Sequence, residues 1–304
     1  MMLTTPVLLL AFNRPTQTLQ VLAEIRRQQP ARIFVAADGP RPHVPGEAAL
    51  CEETRAVILR AIDWPCELQT LFQAENLGCG KGVSTAITWF FVHVEAGIIL
   101  EDDCIPDPSF FSFCTEMLHY YRDDETIMHI NGSNFQGGRQ RGNASYYFSR
   151  YSHVWGWASW RRAWQHYDFS LERYRDAATN ELPPGLVHDL EAVRAHKTDT
   201  WDVQWFMCVW FNRKWAITPN TCLVRNIGYG KDATHTFYPP RWYRGIVYGA
   251  IAEIIHPEKR EIAAEADAYA ARTLFSPNPV YSRIKYFVKK NALLYRLLKR
   301  IAML

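Results

Sequence analysis

The chain has 304 residues, 48% hydrophobic, 21% charged and 14% aromatic, with 34 Lys plus Arg against 31 Asp plus Glu and a net charge of +3. This composition excludes a disordered, collagen-like or disulfide-scaffold protein, and the near balance of charge argues against a nucleic-acid partner. The balance is uneven along the chain: residues 281–304 hold seven basic side chains (Arg283, Lys285, Lys289, Lys290, Arg296, Lys299 and Arg300) and no acid, so the body before them is mildly acidic.

Seven cysteines, an odd number with no C-x-x-C pair, read as reduced thiols of a cytoplasmic protein and not as a disulfide framework or zinc site. The apolar start lacks a basic flank and is cut at Asn13-Arg14-Pro15, so it predicts a buried strand and not a signal peptide. No apolar stretch reaches the length of a membrane span.

The first hundred residues alternate strand and helix patterns. Pro6–Phe12 is a short apolar run, typical of a strand buried on both faces. Thr16 is positioned to cap the following helix, whose Leu19, Leu22 and Ile25 share one face. Arg32–Ala37 predicts a second strand ending at Asp38-Gly39-Pro40, Gly46–Ile62 a helix, and Glu67–Phe72 a third strand. A helix over Gly80–His93 is entered through a glycine-rich loop, and Gly97–Leu100 predicts a fourth strand ending in Glu101-Asp102-Asp103. Four such alternations imply an α/β protein with a mostly parallel sheet and helices on both faces, and ligands bind such sheets at the carboxyl ends of the strands.

Beyond residue 104 the pattern loosens. Pro108–Tyr121 predicts a helix, 127–131 a strand, and Gly132–Asn143 a loop suited to a lid. Trp155, Trp157, Trp160 and Trp164, then Trp201, Trp205, Trp210 and Trp215, form two aromatic clusters. Residues 226–237 form a loop, 257–272 a surface helix, and Pro277–Pro279 a linker. In 281–304 apolar residues at three- and four-residue spacing alternate with the basic ones, the pattern of an amphipathic helix on an anionic membrane; a helix docked on the body fits it as well.

Three consecutive acids at the edge of a buried sheet raise one another's pKa and destabilise the fold unless a cation sits among them. A hard divalent ion, Mg²⁺ or Mn²⁺ shared with a phosphate, is the natural partner. The alternative is a solvated acidic turn. Asp38 is either a ligand acceptor or an ordinary Asp-Gly turn. Lys81, in a glycine-rich loop opening a helix, could approach phosphate or ribose, or simply mark a helix entry. Asp202 between Trp201 and Trp205 is a candidate general base, since an apolar wall raises a carboxylate's pKa, or a helix N-terminal aspartate.

These residues, in this order, resemble those of GT-A-fold glycosyltransferases, including family 2-type bacterial sugar transferases, some labelled haemolysin-like, and the animal Golgi N-acetylglucosaminyltransferase I that starts complex N-glycans. The resemblance runs over about residues 5–236 and rests on Asn13-Arg14, Asp38, Glu101-Asp102-Asp103 with Phe110-Phe111, Gly156-Trp157 and Trp201-Asp202; Asn13 departs from it where the relative has an acid. It implies a GT-A (Rossmann-like) sheet in residues 1–280, with 1–104 as the nucleotide-sugar half and 105–280 as the acceptor half, followed by the basic tail. It further implies a UDP-sugar donor, Asp103 as direct metal ligand, Asp102 at ribose or a metal-bound water, and Glu101 supporting both. Asp38 would accept from the base's imino N–H, and Arg14 would pack against the base or pair with Asp38. Asp202 would deprotonate the acceptor with inversion, His235 would touch the diphosphate or the metal, and Lys231 the phosphate. Trp155 and Trp157 would line the pocket.

The expected activity is a metal-dependent transfer to a glycan or lipid-linked glycan in cell-surface polysaccharide synthesis, at the inner face of the cell membrane. A sugar-1-phosphate nucleotidyltransferase shares such a sheet, but no glycine-rich arginine signature follows the first strand. A non-enzymatic membrane-active protein would leave the acidic triplet without a role.

Overall fold

A computed structural model describes residues 2–229 and 239–276. The elements β1 (Val7–Ala11), α1 (Pro15–Gln28), β2 (Arg32–Ala37), α2 (Glu47–Ala61), β3 (Glu67–Phe72), α3 (Gly78–His93) and β4 (Ala96–Glu101) alternate as the sequence predicts. They are followed by β5 (Cys104–Pro106), α4 (Pro108–Tyr120), β6 (Ile127–Asn131), β7 (Tyr146–Ser149), β8 (Trp157–Trp160), α5 (Arg161–Trp164), α6 (Pro184–Arg194), α7 (Asp202–Phe211), β9 (Trp215–Pro219), β10 (Val224–Asn226) and α8 (Ala264–Leu274).

One eight-stranded sheet, in the order β3-β2-β1-β4-β8-β6-β9-β7, runs through both halves of the chain. The first four strands in that order pair in parallel. β8 runs antiparallel to both β4 and β6, β9 is parallel to β6, and β7 is antiparallel to β9. The sheet is therefore mostly parallel, as expected. The chain moves from β1 through β2 to β3, then returns to place β4 on the other side of β1. That reversal opens a crevice at the carboxyl ends of β1 and β4.

Strand alternation builds two cores. Val7 and Leu9 of β1 and Ile33 and Val35 of β2 face one side with Val21, Leu22 and Ile25 of α1 and the phenylalanines of α4. Leu8, Leu10 and Phe34 face the other with Ile87 and Phe90 of α3, Leu186 of α6 and Trp205 of α7. Each such side chain withdrawn from water contributes about 1.5–3 kcal/mol before entropy is counted.

Several local expectations are corrected. Thr16 lies inside α1; Arg14 takes the N-cap position without a side-chain cap bond, and Pro15 starts the helix. Leu19 is exposed, and the core face of α1 runs instead through Thr18, Val21, Leu22 and Ile25. Residues 257–263 carry no helix, and α8 begins at Ala264. The first part of the 132–143 loop is buried: Ser133, Asn134 and Gln136 are held inside, and only the part from Gly137 onward is open. Among the described residues no helix is long and apolar enough to cross a membrane. The linker and the amphipathic segment 281–304 lie outside the described residues.

Candidate functional site

A cleft of about 700 Å³ opens over the crevice. Its walls are the ends of β1 to β4, the first turns of α3, the segment Thr198–Val203, Asp189 of α6, Trp155, and Asn226 with Gly228 and Tyr229. Glu101, Asp102, Asp103 and Asp202 all line it, as do Arg14 and Asp38.

The triplet splits between two sides. Carboxylate oxygens of Glu101 and Asp103 and the Cys104 sulfur lie within 4.8 Å of one another. Asp102 turns towards β1, where its Oδ2 accepts the Phe12 N–H at 3.3 Å. Arg14 is the cation between them, with Nη1 at 2.8 Å from Asp103 and 3.5 Å from Asp102. Burial opposes the Arg14 charge, but Asp102 and Asp103 outweigh it and hold its pKa above the usual value. That single guanidinium does not balance the acids. Burial, then Asp103, Asp102 and Asp202, push Glu101 well above the ordinary carboxylate range. Asp102 is pushed up to about 7, by burial first and Asp103 next, against the pull of Arg14. The Cys79 thiol in the cleft wall is pushed up to about 12 by burial and then by Glu101, Asp202, Asp199 and Asp38.

These oxygens suit a hard divalent cation. The Glu101 carboxylate has no hydrogen-bond partner among the described residues, so its lone pairs are open to a ligand. The Asp103 carboxylate also accepts from Asn226 Nδ2 at 3.2 Å. Nothing local in the sequence marks Asn226. It arrives because β10 pairs antiparallel with β5, setting Asn226 opposite Cys104. The same pairing lays Gly228 over Asp103, where a Cβ would stand 2.0 Å from Asp103 Oδ2. Gly228→Ala is therefore expected to displace that carboxylate and weaken Mn²⁺ binding by about tenfold or more, read by calorimetry. An unchanged affinity would mean that the loop yields in place of Asp103.

At the other end of the cleft, Asp38 holds the entry to α3. Its oxygens accept Gly39 N–H at 2.9 Å, Leu77 N–H at 2.9 Å, Gly78 N–H at 3.2 Å and Asn76 Nδ2 at 3.0 Å. Burial still raises its pKa against these bonds. The glycine-rich loop meets an anion, but one from this chain: Asp199 accepts Cys79 N–H at 2.9 Å and Gly80 N–H at 3.0 Å. A Cβ on Gly80 would fall 2.6 Å from Asp199 Oδ1, which explains the glycine. Lys81 is exposed and does not line the cleft. Asn13 turns away to Glu47, which also binds Arg41, and Arg41 lies over the Phe12 ring.

Asp202 is the first residue of α7, as one expectation had it, and it also lines the cleft. Its Oδ1 accepts the Val203 N–H at 2.9 Å and the Thr200 hydroxyl. Trp201 before it is buried and stacks on Trp157, ring centroids 5.7 Å apart. Trp157 itself is fully buried, so the expectation that it lines the pocket is corrected, while Trp155 does line it beside Tyr229. Phe110 and Phe111 are core residues. His235 and Lys231 lie outside the described residues.

No family model and no curated protein matches the chain. Among solved structures it is similar to a UDP-glucose pyrophosphorylase complexed with UDP-glucose, at 10% identity and a TM-score of 0.39 over 71% of this chain and 90% of that one. HddC from Yersinia pseudotuberculosis matches at 12% identity and a TM-score of 0.31 over 52% and 78% of the two chains. The glycosyltransferase GlyE of Streptococcus pneumoniae TIGR4 matches at 10% and 0.32 over 71% of this chain and 45% of that one, so this chain spans less than half its length. Likeness at this level carries no chemistry; that rests on the residues of the cleft.

Proposed function

We propose that the protein is a metal-dependent, inverting glycosyltransferase of the GT-A type, moving a sugar from a UDP donor to a hydroxyl of a glycan or lipid-linked glycan. One observation carries this reading: Glu101, Asp102 and Asp103 converge at the crevice between β1 and β4 in a cleft that Asp202 also lines.

Glu101 and Asp103 would hold Mn²⁺ or Mg²⁺, with Asn226 fixing the Asp103 carboxylate. When bound, the cation supplies Lewis-acid stabilisation of the charge that builds on the leaving diphosphate. Arg14 adds a fixed positive charge at the same place without any rearrangement. Asp102, anchored on Phe12 N–H, orients the donor beside β1. Asp38 shapes the base end by holding the α3 entry loop. Asp202 takes the proton of the acceptor hydroxyl, and a base acting directly on the acceptor means a single displacement with inversion. Lys81 has no part in this reading. The basic residues of 281–304 would bring the enzyme to an anionic membrane, on the cytoplasmic face where nucleotide sugars are made.

The test is turnover of UDP-sugars with Mn²⁺, following the release of UDP. Asp202→Asn is expected to bind UDP within about threefold of wild type and to lose transfer by about 10²–10⁴-fold. Transfer at a near-normal rate would remove Asp202 as the base. Consumption of UTP and a sugar 1-phosphate with release of pyrophosphate would instead identify a nucleotidyltransferase.

A further inference from the structure

The acidic triplet fixes where a diphosphate would sit, and the nucleobase must lie at the far end of the same cleft. β4 carries the triplet, and β3 lies three strands away in the sheet order, roughly 14 Å at about 4.8 Å per strand. The end of β3 is therefore where a base edge arrives.

Most polar side chains there are already engaged. Asp38 has its lone pairs filled by three backbone N–H groups and the Asn76 amide. Asn76 donates to Asp38 and to the Gly39 carbonyl. Arg41 is tied through Nε and Nη2 to Glu47, with its guanidinium over the Phe12 ring. Gln73 differs. Its backbone is pinned, with its N–H donating to the Ala37 carbonyl at 3.0 Å and its carbonyl accepting from Arg55 Nη2 at 2.6 Å. The residue lines the cleft, and its side-chain amide has no hydrogen-bond partner among the described residues.

We propose that the Gln73 carboxamide, and not the Asp38 carboxylate, reads the nucleobase. The inference rests on the nucleotide-sugar reading above. A carboxamide carries one acceptor and one donor group side by side. Its oxygen accepts uracil N3–H while its NH₂ donates to O4. Turned over, it donates to cytosine N3 and accepts from the cytosine amino group. A carboxylate has no donor to offer either edge. A rotatable amide therefore separates uracil from cytosine poorly, and UDP and CDP are expected to bind alike.

Titration calorimetry with Mn²⁺ present tests this with UDP, CDP and inorganic pyrophosphate. Wild type is expected to bind UDP and CDP within about threefold of each other. Gln73→Leu is expected to weaken both by about tenfold or more and to leave pyrophosphate unchanged, which also shows that the cleft is intact. If Gln73→Leu binds UDP as tightly as wild type, or if wild type prefers one pyrimidine by more than about thirtyfold, the inference is overturned. If wild type binds neither UDP nor pyrophosphate, the nucleotide-sugar reading falls with it.

Discussion

Asp103→Asn is expected to lose Mn²⁺-dependent UDP binding by about a hundredfold or more, and yet to unfold at or above the wild-type temperature when no metal is present. The loss follows from removing the charge of the carboxylate that faces Glu101 and Arg14. The retained stability follows from the surplus of acid in the cleft. Asp103 is the first charge, after burial, that drives Glu101 out of its normal range, and it acts on Asp102 in the same sense. Neutralising it relieves both neighbours, while Arg14 keeps Asp102 as a partner. A site that destabilises its own fold until a ligand arrives is a common cost of function. Thermal unfolding with and without Mn²⁺, alongside UDP calorimetry, reads both halves. A variant that keeps Mn²⁺-dependent affinity would remove Asp103 from the metal site.

The second large effect concerns acid. His129 of β6 is fully buried against Trp205 of α7. Trp205 Nε1 donates to its Nδ1 at 3.0 Å, and its Nε2 lies 2.9 Å from the His153 carbonyl. An indole N–H can only donate, so Nδ1 accepts and Nε2 carries the proton. The ring is held neutral, and burial lowers its pKa to about 4. His153, half-buried beside His129, is lowered to about 3 by desolvation first and His129 next. Unfolding releases both to bind protons near pH 6.5. Their stabilising contribution is therefore complete above about pH 6.5 and is lost as the pH falls towards 4, by about 3 kcal/mol for His129 alone. Asp102 works the other way, because a carboxyl raised to about 7 is relieved by acid. The difference between wild type and His129→Gln separates the two. Glutamine still accepts from Trp205 and donates to the His153 carbonyl, but does not titrate. Urea unfolding between pH 7 and 5 should be steeper in wild type than in the variant; equal slopes would mean that His129 is not held neutral.

The sequence shows the N-terminal half well because its information is local. Arg32–Ala37 is an apolar run closed by Asp38-Gly39, Glu67–Phe72 is a short mixed run carrying Leu68, Thr70, Leu71 and Phe72, and both strands match those bounds. β8 was hidden. Trp157-Ala158-Ser159-Trp160 reads as an aromatic cluster, and nothing nearby in the chain says that it inserts antiparallel between β4 and β6. The site divides in the same way. The triplet and Asp202 are visible because three adjacent acids after a strand, or an acid among tryptophans, are unusual by themselves. Asp199 and Asn226 are not, because their roles lie in distant partners: the α3 backbone for one and the Asp103 carboxylate for the other. Trp155 and Trp157 sit two residues apart, and only the turn at Gly156, with φ of +59°, sends the first to the cleft and the second to the core.

The contact between Gly228 and Asp103 also limits how this chain can diverge. A side chain at 228 needs the volume that the carboxylate fills. No residue shorter than aspartate carries a carboxyl group. Descendants of this chain can therefore acquire a larger residue at 228 only by moving the Asp103 carboxylate or the loop, or by losing the acid, and in their alignment the two columns should vary together.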